Sequence, residues 1–171
     1  MATLVDAFFQ SDDQIAIVLE YLDADVTPDH IPQLVAGLAQ IHSKGILYRD
    51  LNLNNVKLDA QGTVKFFDFG ISKKFREGIA NTKNCVTRCY RPPEIFFGDQ
   101  KYTQKADIWS LGCLIYELHT KKHLFGGTGD LEVVCKIFEV LGSPKDWPEC
   151  EDMPCYLPMG EAEGAEMLPE I

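Results

Sequence analysis

Positive charge is scarce in this sequence. Sixteen Lys and Arg stand against 26 Asp and Glu, a formal net charge of −10. A surface that tracks a phosphate backbone needs a basic excess, so no nucleic-acid partner is expected. Long apolar runs are also missing: the longest, Ile15–Leu19, is far too short to span a bilayer. The start, MATLVDAFF, lacks the basic region of a signal peptide, and no membrane partner is expected. The six cysteines (Cys85, Cys89, Cys113, Cys135, Cys150 and Cys155) form no Cys-x-x-Cys pair, and the four histidines do not fall at zinc-finger spacing. That excludes a recognisable structural zinc site and favours a reducing intracellular compartment, nucleus or cytoplasm. Lys and Arg are absent altogether from residues 149–171, which carry Glu149, Glu151, Asp152, Glu161, Glu163, Glu166 and Glu170. A solvated tail and an acidic docking tail both fit that stretch.

Apolar residues make up 46% of the 171 positions, enough for one domain with a real core. Leu4–Gln10 and Gln14–Leu22 read as strands joined by the polar turn Ser11-Asp12-Asp13. A helix is expected over residues 29–44. Thr27-Pro28-Asp29 starts it, Ile31, Leu34, Val35, Leu38 and Ile41 recur at helical spacing, and Gly45 stops it. His42 on this helix reads as a packing or surface residue. A second helix over Lys105–Leu118 carries an apolar stripe of Ile108, Leu111, Leu114, Ile115 and Leu118. A third, near Asp130–Leu141, is built on Leu131, Val134, Cys135 and Phe138 and ends at Gly142. Cys113 and Cys135 are expected as core thiols.

The most informative stretch is 46–70, ILYRDLNLNNVKLDAQGTVKFFDFG. Asn55–Leu58 and Thr63–Phe67 flank Asp59-Ala60-Gln61-Gly62, which predicts a β-hairpin with a glycine turn. The hairpin folds Asp68 back towards Asn55, five residues after Asp50. Two oxygen ligands then converge on one hard cation, a sparse arrangement that suits Mg2+ completed by phosphates and water.

Asp-x4-Asn, strand, turn, strand, then Asp68-Phe69-Gly70 resembles the catalytic core of eukaryotic protein kinases. Pro92-Pro93-Glu94 resembles the end of their activation segment, and Asp107-Ile108-Trp109-Ser110-Leu111-Gly112 their central large-lobe helix. Thr87-Arg88-x-Tyr90-Arg91 and Leu141-Gly142-Ser143-Pro144 with Trp147-Pro148 are similar to the cyclin-dependent type, with a lean towards the cell-cycle-related branch. The resemblance covers roughly residues 4–156.

That resemblance implies an α+β, protein-kinase-like fold: a single truncated kinase domain, mainly the helical large lobe (23–171) with a remnant two-stranded small lobe and hinge (1–22). It implies ATP and Mg2+ as cofactors, a protein substrate phosphorylated on Ser or Thr before Pro, and a cyclin or cyclin-like activator. Asp50 would be the catalytic base supported by Thr87, while Asn55 and Asp68 would hold the metal. Leu19 would be the gatekeeper, the backbone of Glu20 and Leu22 would meet adenine, Asp25 would face the ribose, and Lys57 would floor the base pocket. Thr82 would be the regulatory phosphosite, met by Arg49 and Lys73, with an unmodified threonine as the alternative. Arg91 would select proline, Asp107 would hold the catalytic loop, and Glu94 would lack its arginine partner.

The sequence departs from the family in places. Tyr48 stands where His is usual, Asn52 where Ser/Thr kinases have Lys, Lys57 where the floor is apolar, and Cys89 where Trp is usual. No Gly-x-Gly-x-x-Gly precedes Leu4, and no Val-Ala-x-Lys strand is present. Besides an active kinase, a non-catalytic binding module and an incomplete product of a kinase gene therefore remain alternatives.

Overall fold

The computed structural model describes residues 1–82, 85–142 and 147–156. Two strands, β1 (Leu4–Ser11) and β2 (Gln14–Leu19), form an antiparallel hairpin across the Asp12-Asp13 turn. β2 stops at Leu19 rather than Leu22. The Glu20 N–H still reaches across to Thr3 O at 2.9 Å, and the chain then crosses to the catalytic-loop hairpin through Asp23 N to Leu58 O and Leu58 N to Ala24 O, both 2.8 Å.

A 3-10 turn over Pro28–His30 leads into α1 (Ile31–Ser43). The prolines set this start: Pro28 and Pro32 lack the N–H that a helix interior needs, and a first turn does not require it. Leu34, Leu38 and Ile41 are buried, whereas Val35, expected on the same stripe, is exposed. After β3 (Ile46–Leu47) come a 3-10 turn at Leu53–Asn55, then β4 (Val56–Leu58) and β5 (Val64–Phe66), paired Val56 to Phe66 and Leu58 to Val64. The turn between them is the expected one. The Asp59 carboxylate accepts from Gln61 N at 3.0 Å and Thr63 N at 2.8 Å, and Gly62 takes φ +75°, where a side chain would be strained.

β6 (Lys73–Lys74) pairs with β3. The remainder is helical: α2 (Pro93–Phe96), α3 (Lys105–Thr120) and α4 (Asp130–Leu141). The expected α4 bounds and its Gly142 stop are observed; Ser143-Pro144 of the Leu-Gly-Ser-Pro motif and most of the acidic tail lie outside the described residues.

On each of α1, α3 and α4 at least half of the sequence-predicted stripe is buried and one of its members is exposed. On α3, Ile108 is exposed while Ala106, Asp107, Ser110, Leu111, Cys113, Leu114 and Leu118 turn inward. On α4, Leu131 is exposed and Val133, Val134, Ile137, Phe138 and Val140 are buried. Cys113 is a core thiol; Cys135 is only partly covered. All six cysteines are free thiols.

One core joins α1, the β4–β5 hairpin, the segment around Cys85–Tyr90 and α3, with Tyr48, Phe66, Leu34, Leu38, Leu51 and Leu114 fully buried in it. The β1–β2 hairpin lies outside this core. Phe8, Phe9, Ile15 and Ile17 are exposed, so both faces of the hairpin show apolar side chains to solvent.

Candidate functional site

The site is built on the loop 48–55, which α3 holds from below. Asp107, buried in the first turn of α3, accepts from Tyr48 N at 2.9 Å and Arg49 N at 2.7 Å. The same carboxylate takes His42 Nε2 of α1 at 2.8 Å, and Gln104 Nε2 donates to His42 O at 2.8 Å. His42 is thus tied into the support of the loop, a role its position in the sequence did not reveal. Arg49 sits at φ 69°, a left-handed conformation that a non-glycine residue adopts only under constraint, and the Asp107 clamp supplies that constraint.

Tyr48 extends the clamp from inside. Its hydroxyl donates to Phe67 O and, at 3.3 Å, to Asn55 O, while Phe67 N donates to Asn55 O at 3.1 Å. Burial pushes the Tyr48 phenol well above its ordinary pKa, and the charges of Asp50, Asp68 and Asp107 add to the shift, so it remains a donor. One buried phenol therefore holds the loop and the hairpin end together. That brings Asn55 and the residue pair Phe67–Asp68 into register.

Asp50 lies at the centre of this arrangement. Its Oδ1 accepts from Thr87 Oγ1 at 2.6 Å and Asn52 Nδ2 at 3.1 Å; its Oδ2 accepts from Asn55 Nδ2 at 2.7 Å. Asn52, which replaces a lysine charge, is spent on orienting Asp50 and on accepting from Asn54 N at 2.9 Å. Asp68 is exposed, at φ 56°, and accepts from Gly70 N at 3.1 Å. The Asn55 amide nitrogen is committed to Asp50, which leaves its carbonyl oxygen as the atom for a cation. With the Asp68 carboxylate that gives an all-oxygen donor set, which fits a hard divalent ion that keeps waters and phosphates in its shell. A cleft of about 520 Å³ lined by Arg49, Asp50, Gly70, Ile71, Thr82, Cys85, Val86 and Thr87 opens beside these groups. A surface cleft of about 630 Å³ between Gly98–Lys101 and Glu149–Pro154 shares no lining residue with it.

On the far side of this cleft Arg49 donates through Nη1 to Thr82 Oγ1 at 3.3 Å and Tyr102 Oη at 3.1 Å, and through Nε to Ile71 O at 2.6 Å. Lys73, expected to join Arg49 there, instead donates to Ala80 O at 2.9 Å. Val86 adopts φ 75°, a strained conformation for a β-branched residue. Its carbonyl is taken by Arg91 through Nε at 3.2 Å and Nη2 at 3.0 Å. Arg91 is fixed in turn by Asp130 at 3.5 Å and by the Phe96 ring, 4.9 Å from its guanidinium carbon.

The hinge residues are partly committed. The Glu20 N–H goes to Thr3 O, so only its carbonyl can serve a ligand there, and the Glu20 side chain accepts from Thr3 N at 2.7 Å and Lys65 Nζ at 3.1 Å. Leu22 is half-buried and Leu19 lies on the exposed hairpin. The Asp25 carboxylate is bound by the Lys57 ammonium, a partner the sequence did not reveal, and that contact depresses its pKa. Lys57 thus avoids a buried charge by reaching the rim.

Glu94 is half-buried, and no Lys or Arg among the described residues pairs with it. Burial pushes its pKa up, and the charge of Asp99 adds to that. A carboxyl whose folded pKa lies above its unfolded value favours folding fully below the unfolded value and loses that contribution as pH rises through the folded one. Glu94→Gln is therefore expected to raise the urea midpoint at pH 7.5, with the gain shrinking as pH falls. A midpoint equal to or below the parent's at pH 7.5 would contradict this.

An aspartate braced by a threonine and two asparagines, beside a hairpin ending in Asp-Phe-Gly, defines a protein-kinase type of centre, and comparison with known proteins agrees. The protein kinase domain family matches residues 3–157, and the chain belongs to it. The CTD kinase subunit alpha of Saccharomyces cerevisiae is 31% identical over 173 residues, covering 91% of this chain and 33% of that protein. The crystal structure of the yeast RNA Pol II CTD kinase CTDK-1 complex aligns with TM-score 0.80 and 30% identity, over 90% of this chain and 56% of the other. The CAK complex of Chaetomium thermophilum bound to ATP-gamma-S gives TM-score 0.84 and 30% identity, over 94% and 56%. The chain therefore spans a third of the length of this curated relative and about half of these solved chains.

Proposed function

We propose that this chain carries the catalytic loop, metal end and substrate platform of a protein serine/threonine kinase of the cyclin-dependent type, which transfers the γ-phosphoryl group of ATP to Ser or Thr followed by Pro. The observation that carries the reading is the triple bracing of Asp50 by Thr87, Asn52 and Asn55. These donors fix the direction of the carboxylate and leave it to accept the proton of a substrate hydroxyl, and positioning of this kind is most of what phosphoryl transfer asks of a protein. Mg2+ held by Asn55 and Asp68 would neutralise charge on the ATP phosphates.

Proline selection is supported by Val86. Its carbonyl is already filled by Arg91, so the residue after the target hydroxyl finds no acceptor for its N–H. Any residue but proline would then bury an unsatisfied donor, at about 1–3 kcal/mol. Phosphate on Thr82 would meet the Arg49 guanidinium. A cyclin-like activator and intracellular action are part of this reading; the two solved relatives are complexes, and no helix of the described residues is long and apolar enough to cross a membrane. A second reading, a non-catalytic binding module, is favoured by the loss of the lysine charge at Asn52 and by the ionic Lys57–Asp25 contact.

The test is phosphotransfer from MgATP to paired peptides with Ser-Pro or Ser-Ala. The expected result is transfer to the Ser-Pro peptide with at least about tenfold preference, reduced by about 10²–10⁴-fold in Asp50→Asn. Equal transfer to both peptides would remove the proline reading. Transfer untouched by Asp50→Asn would remove the catalytic one.

A further inference from the structure

β4 presents two kinds of side chain. Val56 and Leu58 enter the core, while Lys57 between them points the other way and is a third exposed. Val56 is extended, at φ −133° and ψ 131°, so Asn55 and Lys57 on either side of it project to one side of the chain. The segment after β2 is stitched to the same edge through Asp23, Ala24 and Leu58. A nucleotide with its phosphates at Asn55 and Asp68 therefore runs its nucleoside along the face that Lys57 occupies, towards residues 20–25. Lys65 lies directly across from Lys57 on this hairpin.

Two ammonium groups thus stand on the nucleoside side of the hairpin, and both are neutralised. Lys65 is held by Glu20 at 3.1 Å and Asp59 at 3.2 Å, and Lys57 by Asp25, whose side chain is 81% exposed. A free ammonium beneath a purine would attract the ring, but one bonded to a carboxylate offers the ring an ion pair. Covering that pair strips its water without supplying new partners, which is unfavourable.

We propose that the Lys57–Asp25 ion pair forms the nucleoside-facing floor of this site and weakens its hold on adenine nucleotides. The inference rests on the nucleotide-site reading above and adds which part of the ligand is held poorly and why. Leucine at position 57 would give the base an apolar floor and leave Asp25 solvated.

The test is calorimetric titration of the whole chain, parent, Lys57→Leu, Lys57→Met and Lys57→Arg, with MgATP and separately with magnesium tripolyphosphate, which lacks a nucleoside. The expected result is MgATP affinity about tenfold tighter in the Leu and Met variants, tripolyphosphate affinity unchanged, and Arg, which keeps the pair, matching the parent. MgATP binding unchanged or weaker in both apolar variants would overturn the inference while leaving the nucleotide site standing. An equal gain for tripolyphosphate would also overturn it, because the effect would then lie at the phosphates. Failure of every variant to bind either ligand would overturn the nucleotide-site reading itself, and this inference with it.

Discussion

Asp107→Ala is expected to cost the domain about 3–5 kcal/mol. Asp107 is 2% exposed and its carboxylate has three donors pointed at it: Tyr48 N, Arg49 N and His42 Nε2. Alanine leaves two backbone N–H groups without an acceptor where water cannot readily replace it, at about 1–3 kcal/mol each. It also releases Arg49 from φ 69°, the conformation that carries its side chain towards Thr82. Against a domain stability of about 5–15 kcal/mol, such a loss moves the urea midpoint far enough to measure easily. Asp107→Asn keeps one acceptor oxygen and should lose roughly half as much. Faster amide exchange at Tyr48 and Arg49, ahead of the α1 core, would accompany both changes. A cost below about 1 kcal/mol for alanine would mean that the loop is held by something other than this clamp.

Asp68→Asn should do the opposite, sparing the fold and removing the ligand. Asp68 is exposed and its side chain accepts one local backbone N–H from Gly70, a bond that an amide oxygen can replace. The change in stability should stay within about 0.5 kcal/mol. The charge, however, is the only carboxylate of the proposed metal pair. Without it the set is two neutral oxygens, which bind a hard divalent cation poorly. Mg2+-dependent nucleotide binding should fall by about a hundredfold, a difference of about 2.7 kcal/mol. Binding equal to the parent's, with the same dependence on Mg2+, would show that Asp68 is not a ligand. Asp107 and Asp68 thus separate what holds the site from what the site holds.

Much of this was legible in the sequence because the informative residues are close together in it. Gly62 and Asp59 fix the hairpin turn locally, and that turn returns the chain towards Asn55, where the Tyr48 hydroxyl sets the final register. The α4 bounds follow in the same way from periodicity and a glycine stop.

Contacts between residues far apart in the chain were not legible. His42 meets Asp107 across 65 positions, and Lys57 meets Asp25 across 32. A lone His on an amphipathic helix carries no sign of such a partner. Helix faces were blurred for a related reason. Val35, Ile108 and Leu131 fit the apolar period as well as their neighbours do, and only packing against other elements decides which of them turn inward. The strained φ of Val86 had no sequence signal either, since valine is among the residues least suited to that conformation.

The central claim is that the Asn55–Asp68 end of the hairpin is a magnesium–nucleotide site. The measurement that tests it most directly is calorimetric titration of the 171-residue chain with ATP, in the presence and absence of Mg2+, with Asp68→Asn alongside. The account predicts saturable binding somewhere in the range of about 1 μM to 1 mM usual for enzyme substrates, dependent on Mg2+ and weakened about a hundredfold in the variant. A chain shown to be folded by its urea transition that takes up no nucleotide, or takes it up equally without Mg2+, would contradict it.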